Sequence, residues 1–361
     1  MDYNQTCSLL ISRQKLHPCG LSPWVKQSYK AIQWVKDNGL TLYTSLGQQT
    51  WELIVFLAHI KAIKQIMVIP STHKDHFECQ KNHAIEQFHL DLDNVQFQCL
   101  YPNGSKSLLY QRDVTIVSNS DVLIPISVRK KGHMSTLISQ KQDNSIVQEF
   151  QINYQKDRHS LAYQVKKNDL SQKIQHVESD YLIHWTRSCN GPWPTETLYD
   201  YYAAILKSNQ YPRNAMASLE NILSCDRIIA SSRHMPDKTP TVSFTALPPK
   251  NAITLMRWRS RYRQMSFEPY GIGIEKTYAA SIGIQKVRYY AHPKDKPKNV
   301  AHWLCQSRGK YSDWRLEKEY RYCGDIRLLD IPREKLVCFC YKDIEAKKIF
   351  SKYGITTMAI T

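Results

Sequence analysis

No stretch of this 361-residue chain comes near 18 consecutive apolar side chains, so no membrane-spanning helix and no membrane partner are expected. The first residues, MDYNQTCSLLISRQ, lack a basic start followed by a long apolar run and do not read as a signal peptide. The ten cysteines include no C-x-x-C pair and no zinc-ligand spacing. That leaves neither a disulfide framework nor a metal site, and reduced thiols in the cytoplasm are the expectation. Glycine is sparse, at 12 residues, and neither G-x-G-x-x-G nor the Walker pattern occurs. Acidic residues are also few: 32 Asp and Glu face 49 Lys and Arg, a net charge of +17. This balance fits a polyanionic partner, nucleic acid or a phosphate-rich nucleotide, without choosing between them.

What is present begins with an α/β alternation over residues 21–140. Trp24, Val25, Tyr29, Ile32 and Val35 fall near helical spacing, and the run stops at Gly39. LTLYTS reads as a strand, QQTWELIVFLAHIKAI as a helix, and IMVIPS and VQFQCLYP as strands; VTIVSNSDVLIPISV is expected to hold one or two more. Helix and strand in turn imply a mostly parallel sheet, whose ligands sit beyond the carboxyl ends of the strands. Ser45 and Gly47 follow one strand, Arg129 and Gly132 another. Small or hydroxyl residues ahead of a helix leave backbone N–H groups for phosphate. These four are candidate nucleotide contacts; ordinary capped turns are the plain alternative.

LTLYTSLGQQTWELIVFLA, followed later by VLIPISVRKKGHMSTLI, resembles the Rossmann-like domain of the DNA-processing protein A family and its nucleotide-sensing relatives. The resemblance covers about 120 residues. It implies a nucleotide or nucleotide-derived ligand for a domain expected at 1–145. Residues 146–178 are polar, rich in Gln, Lys and Asn, and read as a linker. Residues 179–361 begin with the strand YLIHWTR and two helical patterns, then turn to strands, an α+β domain.

The second domain's chemistry centres on Trp314–Arg321, WRLEKEYR. Read as a strand, this stretch puts Glu317 and Glu319 on one face, where paired carboxylates suit acid/base work or the holding of a ribose hydroxyl. His184 with Thr186, and Ser243 with Thr245, repeat the i, i+2 spacing at other strand patterns. Each pair alone fits a satisfied strand face; the order His/Thr, Ser/Thr, Glu/Glu is more specific. That order resembles the ADP-ribosyltransferase fold, over roughly residues 181–345. The W-x-x-E-x-E-Y-R block with VSFT and EPYGI upstream is also similar to an uncharacterised bacterial domain family.

The first resemblance implies an NAD-consuming enzyme, by ADP-ribosyl transfer to a macromolecule or by NAD hydrolysis. Glu319 would stabilise an oxocarbenium-like ribose and Glu317 would deprotonate the acceptor. His184, Thr186, Ser243 and Thr245 would hold NAD, Arg187 its diphosphate, and Trp185, Tyr270 or Tyr320 would stack on a ring. The sensor–effector layout suggests a bacterial defence or toxin role.

A second cluster, Arg257, Arg259, Arg261 and Arg263 interleaved with Trp258 and Tyr262, suits phosphate contact and base stacking. It supports an alternative reading as a non-catalytic nucleic-acid-binding protein. A third reading is a metal-dependent nuclease using Glu268, Glu317 and Glu319.

Overall fold

The structure is a computed structural model, and it describes residues 5–155, 163, 165–233, 235–260, 263–308 and 314–361. The chain forms two compact units. One comprises residues 1–159 and 191–212, the other 160–190 and 213–361.

The first unit contains β1 (Thr6–Ile11), α1 (Pro23–Asp37), β2 (Thr41–Ser45), α2 (Gln49–Ile60) and β3 (Gln65–Pro70). It continues with α3 (Lys74–Phe88), β4 (Val95–Leu100), α4 (Leu108–Asn119), β5 (Val122–Ser127) and α5 (His133–Ile138). The five strands make an all-parallel sheet in the order β4-β3-β2-β1-β5. This is the expected Rossmann-like α/β layout. The inner strands β1, β2 and β3 are buried almost throughout, Ser8, Thr41, Thr44, Ser45 and Gln65 included, as expected where helices cover both faces of a parallel sheet. The expected strand at VTIVSN is instead the end of α4. Ser107 caps that helix by accepting from Tyr110 N, and Arg112 and Ile116, four residues apart, are both buried. β-branched residues lowered its apparent helix propensity, but packing decided.

Residues 146–155, expected as linker, extend the first unit. Val147 N donates to Leu123 O and Ile152 N to Ile126 O, and Phe150 is buried in its core. Farther along, α6 (Gln172–His176) belongs to the second unit and buries Ile174.

The second unit then starts its main sheet with β6 (Tyr181–Trp185). The next helix, α7 (Leu198–Lys207), was expected in the second domain but packs in the first unit. Tyr202 Oη donates to Glu52 Oε2 at 2.8 Å, and the Tyr199 ring meets Phe56 edge-on. This explains why α2 is apolar all round, with Leu53–Ala58 all buried: one side meets the sheet and another meets α7.

The second unit resumes with α8 (Ala215–Ser224), β7 (Arg227–Ile228), β8 (Thr241–Thr245), α9 (Pro249–Ala252) and a short hairpin, β9 (Trp258–Arg259) and β10 (Gln264–Met265). Then come β11 (Gly271–Glu275), α10 (Lys276–Ser281), β12 (Gln285–Lys286), β13 (Arg288–Tyr290) and β14 (Cys305–Ser307). The chain ends with β15 (Glu319–Cys323), β16 (Ile326–Arg327), β17 (Leu336–Cys340), α11 (Asp343–Tyr353) and β18 (Thr356–Ala359). Seven strands form a mixed sheet in the order β12-β15-β8-β6-β11-β17-β18. One core packs on one face, around Leu182, Phe244, Ile272 and Cys338. A smaller one packs on the other, around Ile183, Val337 and Phe339. This α+β layout agrees with the expectation for the second half.

Candidate functional site

The mixed sheet has an opening at its centre. Among the described residues, β6 and β8 pair at Ile183 and Thr245 alone, whereas β8 pairs with β15 over five positions. Past that single pair the two strands diverge, and a cleft of about 670 Å³ lies there. A cavity of this size suits a cofactor-sized molecule.

His184, Ser243 and Glu319 all line the cleft. They reach it from opposite faces of the sheet. His184 lies on the face of Phe244, its ring 5.8 Å away, while Ser243, Thr245 and Glu319 share the face of Ile183. The opening lets both faces contribute. His184 Nδ1 lies 2.9 Å from the Ser243 carbonyl oxygen, taking the place of a lost ladder bond. A carbonyl only accepts, so Nδ1 carries the proton and Nε2 of the neutral ring is left as an acceptor. Burial lowers the His184 pKa, which favours that neutral ring. Ser243 Oγ in turn donates to Glu319 Oε1 at 3.0 Å.

Glu319 is fixed by a residue that the i, i+2 reading of the carboxylates passed over. Arg321, opposite Ser243 in the ladder, donates Nε to Glu319 Oε1 at 2.7 Å and Nη2 to Oε2 at 3.1 Å. Its other donors go to Trp303 O and Gln306 Oε1. The sequence held this signal, because Glu319 and Arg321 are themselves two apart on one strand face.

Glu317 is not on that strand. Trp314–Glu317 is a turn of 3-10 helix, and Lys318 has φ of 45°, a left-handed kink that sets off β15. The two carboxylates nevertheless share the cleft, with the turn rather than a pleat aiming Glu317. Arg259 Nη2 donates to Glu317 Oε1 at 2.9 Å. Burial raises the Glu317 pKa against the pull of Arg259, and the nearby Glu319 charge raises it further. Thr245 is committed to this turn, donating Oγ1 to Glu317 O.

Four arginines line the cleft: Arg187, Arg233, Arg259 and Arg321. The last two are paired with its two carboxylates. Arg187 and Arg233 are exposed and surplus to those pairs.

Other expected residues serve the fold. Thr186 is buried, and its Oγ1 donates to Ala215 O and Tyr270 O. Tyr270 is absent from the cleft lining: it is 3% exposed and donates Oη to Glu345, so it cannot stack on a ligand. Tyr320, also absent from the lining, packs in the larger core because it alternates with Glu319 and Arg321. The described residues of the arginine run do not share one basic face. Arg257 is exposed, Arg259 turns to Glu317, Arg263 has φ of 49°, and Arg261 lies outside the described residues. Glu268 is buried and accepts from Ser188 N and Oγ, so the carboxylate set of a nuclease is not assembled. Among the described residues no group of three His, Cys, Asp or Glu could hold a metal ion.

In the first unit, Ser45 is buried and its Oγ donates to Val68 O, so its hydroxyl belongs to the sheet. Gly47 has φ of 82° at the head of α2, with open space where a side chain would stand. Arg129 N donates to Ser12 Oγ across the ends of β5 and β1, where the strand order reverses. Gly132 is the N-terminal cap of α5, and a Cβ there would meet Arg129 O at 3.0 Å.

No family model matches the chain, and no curated protein matches it. A solved structure of DNA processing protein A from Helicobacter pylori, described as having a unique single-stranded DNA binding mode, aligns with 38% of this chain. The identity is 15% and the TM-score 0.29, and the chain spans 62% of that protein's length. A similarity of this size carries no functional argument. Among the described residues no helix is long and apolar enough to cross a membrane.

Proposed function

We propose that the second unit cleaves the nicotinamide–ribose bond of NAD, passing ADP-ribose to a macromolecule or to water. The observation that carries this reading is the hydrogen-bonded line His184–Ser243–Glu319 across the open sheet, backed by Arg321. Cleavage gives the glycosidic electron pair to nicotinamide and leaves positive charge on the ribose. Glu319 faces that charge and accepts from the 2′-hydroxyl. Arg321 holds the carboxylate in place at the moment charge develops. His184 Nε2 offers an acceptor to a ribose hydroxyl or the carboxamide.

Arg187 and Arg233 supply the two positive charges that a diphosphate requires. Glu317, with its raised pKa, takes the proton of an acceptor nucleophile as that atom bonds to the ribose carbon. Water can replace the acceptor, which gives NAD hydrolysis. For the first unit we propose a nucleotide-derived ligand near Gly47, Arg129 and Gly132, acting as the signal in a defence or toxin effector.

The test is product analysis. Purified protein is incubated with NAD, with and without nucleotides, nucleic acid or cell extract, and the mixture is read by proton NMR. Free nicotinamide in equal measure with ADP-ribose or a modified acceptor is expected. Intact NAD under every condition, from folded protein, would defeat the proposal.

A further inference from the structure

A basic surface made by residues other than Arg187 and Arg233 lies at the Glu317 end of the cleft. The Arg259–Glu317 bridge joins two segments there, the β9–β10 hairpin and the turn ahead of β15. The described residues of 257–265 and 314–318 carry Arg257, Arg259, Arg263, Arg315 and Lys318, with Glu317 as their one carboxylate. Arg257, Arg315 and Lys318 are exposed. The charge of Arg257 reaches Glu317, where it opposes the rise in pKa. Beside them the cleft wall is aromatic: Trp185 and Phe267 stack with centroids 5.7 Å apart at 19°, and both line the cavity.

We propose that this end of the cleft receives a single-stranded nucleic acid, which is the acceptor of the transfer reaction. The inference rests on the proposed NAD chemistry only for its last clause. Exposed cations spaced along two loops track a phosphate backbone, and an aromatic wall takes an unstacked base. A protein acceptor would need no such excess of positive charge beside the base catalyst. A duplex keeps its bases stacked and cannot present one at the wall. A ring N–H nitrogen or exocyclic amine of the base attacks the ribose carbon as nicotinamide departs with the glycosidic electron pair, and the proton of the attacking nitrogen goes to Glu317.

The experiment uses the full chain without NAD, so it reads the surface separately from the chemistry. Labelled single-stranded DNA and RNA of about 20 nucleotides, and the matching duplex, are titrated by fluorescence anisotropy between about 50 and 200 mM salt. Single strands should bind tighter than duplex, with steep salt dependence. R257A/R315A/K318A changes only exposed side chains. It should cut the log–log slope by about 2, at roughly 0.7 per lost phosphate contact, and weaken binding about 100-fold near 0.1 M salt. F267A should keep the slope but lower the single-strand preference about tenfold.

No binding at low salt, equal affinity for duplex, or an unchanged slope in the triple variant would overturn the inference. Binding without NAD cleavage would keep the surface and sink the NAD reading. NAD-dependent labelling of protein alone would do the reverse.

Discussion

Replacing Arg321 with Met should destabilise the second unit selectively, by an amount that follows from its contacts. The side chain is 4% exposed and makes four hydrogen bonds, two of them to Glu319. R321M takes two hydrogen bonds from a carboxylate that is 14% exposed, and strips donors from Trp303 O and Gln306 Oε1. Removing one partner of a buried pair costs about 3–5 kcal/mol. At a urea dependence of about 2–3 kcal/mol/M, that lowers the midpoint by roughly 1–2.5 M. Two units need not unfold together, so a unit-specific probe is required. Cys338 and Cys340 are fully buried in the second unit and Cys7 in the first. Alkylation of each thiol against urea, read by mass spectrometry, reports the two units separately. Cys338 and Cys340 should become reactive at lower urea in R321M while Cys7 does not. Adding E319Q should restore more than half of the shift, because the unpaired charge is gone. A shift below about 0.3 M, or no recovery in the double variant, would refute the claim that Arg321 and Glu319 act as a buried pair.

Three further outcomes are expected. The acidic limb of acceptor transfer should lie above the ordinary Glu range, because Glu317 must lose its proton; R259A should move it to higher pH by removing the pull that opposes burial, and a downward move would contradict the assignment. His184 has a lowered folded pKa, so its contribution to stability is complete above about 6.5, its usual value, and is lost as pH falls through the depressed one; H184Q should flatten the pH dependence of the Cys338 midpoint in that acid window, and an equal dependence in both proteins would count against a neutral ring held by the Ser243 carbonyl. G271A places a Cβ 2.9 Å from the backbone oxygen of His184, so β6 must shift; a loss of about 1–3 kcal/mol by the same probe is expected, and a neutral change would show that the strands can part freely.

Much of this fold was legible because apolar runs such as LTLYTS and LVCFCY leave few alternatives once helices and strands alternate. The misses have physical causes. The helix α3 is polar nearly all round, with Ala84 and Phe88 its buried residues, so it gave little periodic signal. The segment 191–212 reads as helix, but nothing local says that its tyrosines pack on α2 rather than near their sequence neighbours. Glu317 and Glu319 do share a cleft, though through a left-handed residue at Lys318 that alternation cannot anticipate. The opening between β6 and β8 is a property of strand pairing, which one-strand patterns do not carry. That opening brings His184 together with Ser243 and Glu319 from opposite faces.

The most direct test of the account is the single-turnover rate of nicotinamide release from NAD by wild type and E319Q, measured with the NAD affinity of each. The variant keeps the size of the side chain and an oxygen for Ser243 and Arg321 while removing the charge that faces the ribose. A rate about 100- to 1000-fold lower at nearly unchanged affinity is predicted. A rate within about threefold of wild type, or a loss confined to NAD affinity, would contradict a catalytic role for Glu319.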